Sequence, residues 1–200
     1  MIIDTHCHLA SRQFDQSRRE IYIRHAVEAG IDRMITLGAC MDDWEENLSW
    51  ARQFPGTVFC ALGIHPDDAH GAPEKWAEKL TAAAETVPLA AIGETGLDYF
   101  HPAPKGWETA DFHRRQQELL EEHFELAARL GLNIVLHTRD RKGSRSFEDA
   151  LAIAGNHAGR VRPVFHCFIG DTAQAARRFR HDGSVFECSY PGEGDHAVQP

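Results

Sequence analysis

The amino-acid sequence predicts an α/β fold built on a parallel β-sheet. Seven short apolar runs alternate with six segments whose apolar residues recur at helical spacing. The apolar runs are nearly continuous, which is typical of strands that helices cover. A closed barrel and an open doubly wound sheet both satisfy this alternation. No Gly-x-Gly-x-x-Gly motif follows a strand and no Gly-Lys-Ser/Thr motif occurs, which disfavours a dinucleotide- or ATP-binding sheet.

Each predicted element follows from spacing and from the residues that end it. Trp44, Leu48 and Ala51 recur on one side of a helix, and Gly131 is a helix-ending glycine after a long amphipathic run. The predicted strands cover residues 1–8, 32–38, 57–62, 89–92, 133–137, 161–166 and 184–188. The predicted helices cover residues 18–29, 42–54, 73–86, 109–130, 146–154 and 172–180. We expect one domain over residues 1–190 and a disordered tail over residues 191–200.

Composition narrows the class of protein. A chain of 200 residues with 42% hydrophobic content is long enough for one domain with a core. Its net charge of -9 argues against a broad electrostatic footprint for nucleic acid, so a polyanionic substrate would need metal ions or a local basic loop. The five cysteines form no Cys-x-x-Cys pair, which predicts reduced thiols and a cytoplasmic location. No apolar run reaches the roughly 20 residues of a membrane span, and the start does not read as a signal sequence.

Residues that can bind metal stand at the ends of five predicted strands. His6 and His8 are two positions apart, so they face one side of the first strand while Cys7 faces the other. The carboxyl ends of parallel strands meet at one edge, which is where sites are built. We therefore predict a binuclear metal site from residues at this edge. The further candidates, each at a strand end, are His65, Glu94, His137 and His166.

Two of these candidates differ in the roles open to them. Glu94 follows an apolar strand, where an unpaired buried carboxylate is costly, so a metal or cationic partner is expected. His65 is either a metal ligand or a residue that contacts substrate. Cys7 faces away from the histidines and no Gly-x-Ser-x-Gly elbow occurs, so we expect a metal-activated water as nucleophile. The other histidines lie in helices or loops and are expected to be solvent-exposed: His25, His70, His101, His113, His123, His157, His181 and His196.

Five segments of the chain resemble, in order and spacing, the TatD family of metal-dependent deoxyribonucleases. The likeness covers residues 1–179. It implies a TIM-like barrel, two divalent metal ions (zinc, manganese, magnesium or iron) and hydrolysis of phosphodiester bonds in DNA, often as an exonuclease. The segments are Asp4-Thr5-His6-Cys7-His8, Gly63-Ile64-His65-Pro66, Ile92-Gly93-Glu94-Thr95-Gly96-Leu97-Asp98-Tyr99-Phe100, Leu136-His137-Thr138-Arg139 and Phe165-His166-Cys167-Phe168.

The resemblance also implies roles for single residues. His6 and His8 match ligands of one metal, Glu94 matches the carboxylate that bridges both, and His137 and His166 match ligands of the second. His65 is similar to a histidine of the substrate site, so Glu94 and His65 are the implied catalytic residues. DNA is the implied partner, and no membrane partner is expected.

The end of the chain departs from the family pattern. The family has an eighth strand that ends in a Thr-Asp-Ser/Ala-Pro-like segment whose aspartate binds metal. Here Asp195 is the only aspartate after the last predicted strand. We therefore expect a barrel of seven strands that is incomplete at its C-terminal side, weaker binding of the first metal and reduced activity. An open edge at residues 184–188 would invite self-association.

Two other functions stay open from the residues. One is an amidohydrolase acting on a small cyclic amide or ester. The resemblance disfavours it, because many such enzymes use a carboxylated lysine where this chain has Glu94. The other is an inactive, truncated metal-binding protein with an interaction role.

Overall fold

A computed structural model describes residues 1–12, 15–168 and 185–186 of the chain. Its strands form one sheet in chain order, and every neighbouring pair is parallel. The predicted α/β fold of the TIM-barrel type is therefore confirmed. The strands are β1 (Ile3–Cys7), β2 (Arg33–Gly38), β3 (Val58–Leu62), β4 (Ala91–Tyr99), β5 (Ile134–Asp140), β6 (Pro163–Phe165) and β7 (Val185–Phe186).

The connections between successive strands from β1 to β6 each contain an α-helix, as the predicted alternation requires. The five helices are α1 (Arg19–Glu28), α2 (Met41–Gln53), α3 (Trp76–Thr86), α4 (Thr109–Leu130) and α5 (Arg145–Asn156). Helix α4 has the predicted bounds, and the others differ by three residues or fewer at each end. The helix predicted at residues 172–180 and the tail at residues 191–200 lie outside the described residues.

Two strands are longer than predicted. Strand β4 continues from Ile92 to Tyr99, and β5 continues from His137 to Asp140. The predictions ended both strands where apolar residues give way to polar ones. These polar residues still pair across the two strands, in register from Thr95↔Leu136 to Tyr99↔Asp140. Backbone hydrogen bonds do not depend on whether side chains are apolar, so the pairing extends both strands into the site.

One glycine makes this pairing possible. Gly96 has a φ of +144°, and a Cβ atom built there would overlap the carbonyl oxygen of His137. Only glycine combines that backbone angle with so close an approach of the two strands. Gly96 stands midway between Glu94 and Asp98, the two residues of β4 that face the site.

The sheet separates a large core from a small one. Its outer face packs against the helices, with Leu62, Leu97 and Phe165 among the fully buried side chains. A smaller cluster lies on the opposite, inner face. The inner cluster comprises Leu37, Ala61, Ala91 and Val135, with Ile35 and Val164 packed against it. Because side chains alternate along a strand, Val135 and Val164 share the inner face with His137 and His166, two residues further on.

Two histidines that were predicted to be solvent-exposed are buried. His123 on α4 and His157 after α5 both have 0% exposure. His123 stacks on Trp76, and His157 stacks on Phe124 and pairs with Glu121. They lie on the core-facing sides of their segments, where a hydrogen-bonded imidazole fits among aromatic rings. The prediction was thus wrong for these two.

The other histidine predictions have mixed outcomes. His25, His70 and His101 are exposed as predicted, and His113 is half-buried against Tyr99. His181 and His196 lie outside the described residues. Cys7, Cys40, Cys60 and Cys167 are free thiols. Among the described helices none has the length and apolar character needed to cross a membrane.

Candidate metal centre

The five predicted metal ligands meet at the carboxyl edge of the sheet. His6 lies on β1, His8 just beyond it, Glu94 on β4, His137 on β5 and His166 directly after β6. Glu94 is at the centre of the group and is only 4% exposed. This convergence was expected because parallel strands end at one edge.

One oxygen of Glu94 faces the histidines of β1. Oε2 lies 3.5 Å from Nε2 of His6 and 3.5 Å from Nε2 of His8. The two Nε2 atoms are 3.2 Å apart. The His166 ring stacks on His6 with centroids 3.3 Å apart, and donor atoms of His6, Glu94 and His166 lie within 4.8 Å of one another. These residues form the first group of donors.

The other oxygen of Glu94 faces β5. Oε1 lies 3.2 Å from Nδ1 of His137. The His65 ring meets His137 edge to face at 4.4 Å, and donor atoms of His65, Glu94 and His137 lie within 4.8 Å of one another. These residues form the second group. The grouping differs from the one that the resemblance implies, since His166 lies with His6 and His65 lies with His137.

Backbone contacts decide which nitrogen of two histidines is available. Nδ1 of His8 lies 3.2 Å from the carbonyl oxygen of Leu37, which can only accept, so Nδ1 is protonated and Nε2 keeps a lone pair toward Glu94. In contrast, Nδ1 of His65 accepts a hydrogen bond of 3.3 Å from the backbone N–H of Asp67. A neutral His65 therefore presents an N–H at Nε2, which can donate to a substrate.

Burial and charge set the protonation of the second group. Burial lowers the pKa of His65, and the charge of His137 lowers it further, to about 4, so His65 is neutral. Burial would also lower the pKa of His137, but its hydrogen bonds with Asp98 and Glu94 raise that pKa to about 9. Burial would raise the pKa of Glu94, yet its bonds with His137 and His6 hold that pKa well below the usual range. The site thus keeps an ionised carboxylate at its centre.

Asp98 was not predicted as a site residue. This aspartate has 0% exposure and its Oδ2 lies 3.0 Å from Nε2 of His137 and 3.0 Å from Nδ1 of His101. Asp67 lies beside them, with Oδ2 3.6 Å from Nδ1 of His101. A signal was present: Asp98 comes four residues after Glu94, so both face the same side of one strand. Ending the predicted strand at residue 92 concealed it.

The thiol expectations hold in the structure. Cys7 faces away from His6 and His8, with Sγ 3.4 Å from the carbonyl oxygen of Ile35. Burial, together with the charge of Asp4, raises the pKa of Cys7 to about 12. A thiol in that state is a poor nucleophile.

Neutral imidazole nitrogens and an ionised carboxylate are suitable ligands for divalent transition metals. The lone pair on Nε2 of His8 fits such ions. So do the two oxygens of Glu94, which face different histidines. A parallel β/α sheet that carries several histidines and a carboxylate at its carboxyl edge is the architecture of one class of metal-binding enzymes. The family model described as TatD related DNase matches residues 3–190, and the chain belongs to that family.

Individual relatives agree with this assignment. The chain is 32% identical over 177 residues to a protein named 3'-5' ssDNA/RNA exonuclease TatD from Cronobacter sakazakii, covering 88% of this chain and 62% of the relative. It is 32% identical over 178 residues to the Escherichia coli protein named uncharacterized metal-dependent hydrolase YjjV, covering 88% and 63%. The crystal structure of that TatD homolog superimposes with a TM-score of 0.71 at 29% identity, over 90% of this chain and 64% of the other. The chain thus spans less than two thirds of these relatives.

Proposed function

We propose that this chain is a metal-dependent hydrolase that cleaves phosphodiester bonds in nucleic acid, with DNA as substrate. The observation that supports this most strongly is the position of Glu94. Its two oxygens face two separate groups of histidines, at 3.5 Å on one side and 3.2 Å on the other. A carboxylate placed in this way suits a bridge between two divalent ions, which zinc, manganese, magnesium or iron could supply.

The proposed ligands are those predicted from the sequence: His6, His8, Glu94, His137 and His166. A pair of bound divalent ions would lower the pKa of a water and offset the charge that develops on phosphate oxygens. The protein's part is to hold the ligand nitrogens in place. His8 does so through Leu37, and His6 and His166 do so by stacking on each other.

We assign His65 to the substrate rather than to a metal. Its Nδ1 accepts from the backbone of Asp67, and its neutral ring then carries a proton on Nε2. An N–H beside Glu94 and His137 is suited to donate to a phosphate oxygen of the scissile group. His65 also precedes Pro66, whose fixed φ begins a short 3-10 turn, and this restrains the loop.

A cationic surface beside the site supports a nucleic-acid substrate. Arg139 and Arg141 lie over the ring of Phe100 at 4.2 and 5.6 Å, and Arg145 lies over Tyr99 at 5.8 Å. Phe100 comes two residues after Asp98, so this surface adjoins the centre. In a chain of net charge -9, a local arginine cluster with aromatic rings suits binding of phosphates and bases. One relative is named as an exonuclease of single-stranded DNA and RNA, which agrees with this proposal.

The test compares metal, substrate and variant in one assay. We expect the chain to shorten an end-labelled single-stranded DNA oligonucleotide when manganese or zinc is supplied and to stop when a chelator is added. Glu94→Gln should abolish this activity, whereas Glu74→Gln, at an exposed position, should not. Hydrolysis of a cyclic amide or a simple ester instead of DNA would support the amidohydrolase alternative. Metal binding without any hydrolysis would support the inactive one.

Self-association and a cytoplasmic location are further proposals. Strand β1 is a terminal strand of the described sheet, and Ile2 and Ile3 at its start are 57% and 40% exposed. Exposed apolar residues on a terminal strand favour contact with another sheet edge. Sedimentation of the purified chain over a range of concentrations would detect a dimer, and replacing Ile2 and Ile3 by threonine should weaken it.

A further inference from the structure

The ring of His137 lies between two carboxylates. Nδ1 lies 3.2 Å from Oε1 of Glu94, and Nε2 lies 3.0 Å from Oδ2 of Asp98. We infer that Asp98 is a positioning residue: it keeps a proton of His137 on Nε2, so that Nδ1 is the nitrogen that loses its proton and faces the metal centre when an ion binds. The inference rests on the proposed metal-dependent function, because it concerns how His137 becomes a ligand.

The contacts of Asp98 are those of a residue that orients a ligand. Its Oδ1 accepts hydrogen bonds from the backbone N–H groups of Phe100, at 2.9 Å, and His101, at 2.8 Å. Its Oδ2 is shared by Nε2 of His137 and Nδ1 of His101, both at 3.0 Å. With 0% exposure, both oxygens are engaged by nitrogen donors. The His137 ring stands between this carboxylate and Glu94.

The backbone of Asp98 is itself held from helix α4. Oε1 of Gln116 accepts from the Asp98 N–H at 3.0 Å, and Nε2 of Gln116 donates to the Asp98 carbonyl oxygen at 3.2 Å. Gln116 is fully buried. Such a two-point contact fixes the position of Asp98 before any metal ligand is arranged, which is what an orienting residue requires.

The two backbone donors make the consequence of a single change predictable. In an Asp98→Asn variant the amide oxygen has to face the N–H groups of Phe100 and His101, because an NH2 group there would oppose two donors. The NH2 group then faces Nε2 of His137 and needs an acceptor. His137 is driven to the other tautomer, with the proton on Nδ1 pointing at Glu94 and the metal centre. The variant removes a charge. Its main effect is to move the lone pair of neutral His137 from Nδ1 to Nε2.

The experiment reads the tautomer directly. In the 15N-labelled full chain loaded with zinc, we expect the Nε2 of His137 to show the shift of a protonated nitrogen and Nδ1 that of a metal-bound one, with His137→Gln used for assignment. D98N should lose this signature and weaken zinc binding by about 10–100-fold, measured by competition with a chelator. D111N removes an exposed carboxylate at the start of helix α4, and it should leave the His137 signature unchanged.

Each outcome decides the inference. Zinc-loaded wild type with the proton on Nδ1 would overturn it without any variant, so a D98N chain that fails to fold does not block the test. A folded D98N chain with the wild-type signature and zinc affinity would overturn it while leaving the proposed function intact. A wild-type chain that binds no zinc, manganese or iron would remove the proposed centre and this inference with it.

Discussion

Nε2 of His123 on helix α4 accepts a hydrogen bond of 3.1 Å from the backbone N–H of Ile64, the residue before His65. Nδ1 of the same ring donates to the carbonyl oxygen of Leu119 at 2.7 Å, and the ring stacks on Trp76. A fully buried histidine thus ties the loop that holds His65 to the core of the helical layer. These contacts of His123 make the stability of the fold depend on a neutral imidazole.

Acid should destabilise the fold through His123. Burial lowers the pKa of His123 from 6.5 to about 4, so the unfolded chain binds a proton between these pH values while the folded chain does not. The stabilisation that comes from a buried, neutral His123 is complete above pH 6.5. It falls by up to about 3 kcal/mol as the pH falls toward 4. We expect His123→Gln to lose this part of the pH slope in urea unfolding with chelator present.

Exposed His25 offers the control for this measurement. His25→Gln should keep the wild-type slope, because that side chain is exposed. Comparing variants with wild type isolates one residue, since His65 and His166 also have lowered pKa values. Equal slopes for wild type and His123→Gln between pH 7.5 and 5 would refute the role given to His123.

Replacing the central carboxylate should cost more activity than replacing any one histidine. Glu94→Gln keeps the size of the side chain but loses the charge that faces both groups of donors. We expect at least about a 100-fold loss in turnover, compared with smaller losses for single changes at His6, His8, His137 or His166. Glu74→Gln is the matched control. Equal, mild losses at all five positions would argue against a bridging role.

The arginines around Phe100 should act on substrate binding. Arg141 donates through Nε to the carbonyl oxygen of Phe100 and lies over its ring. Arg141→Gln should raise KM for DNA, leave kcat nearly unchanged and reduce the salt slope of binding by about one. Arg52→Gln, on helix α2 and paired with Glu45, is the control. A change in kcat alone would show that Arg141 does not contact the substrate backbone.

Gly96→Ala should destabilise the fold. The methyl group would overlap the carbonyl oxygen of His137, and a φ of +144° is unfavourable for alanine. We expect a loss of at least about 2 kcal/mol in the free energy of unfolding. Gly71→Ala provides the comparison, because a Cβ there meets nothing within 4 Å. Unfolding curves that match wild type for both variants would show that β4 and β5 can separate locally.

Much of the fold and the centre followed from the sequence because both depend on periodicity. Apolar runs and helical stripes fixed the order of elements, and strand ends located His6, Glu94, His137 and His166 at one edge. Predictions from local polarity were wrong for polar residues whose partners lie far away in the sequence. Asp98 was hidden because its strand is extended by pairing with β5 rather than by apolar residues.

The buried histidines show the same limit from the helical side. His123 is polar, so its position on α4 predicted exposure, yet its partners Ile64 and Trp76 come from segments more than 40 residues earlier. A single sequence does not display such long-range partners. The tautomer of His8 likewise depends on the carbonyl oxygen of Leu37, which only the fold brings near.

Metal content is the most direct test of the central claim that Glu94 lies between two metal sites. The purified full chain, dialysed against excess manganese or zinc and then against buffer, should contain two ions per molecule by elemental analysis. Glu94→Gln should retain one or none, and Glu74→Gln should retain two. A wild-type chain that binds no ion, or a Glu94→Gln chain that still holds two, would contradict the account.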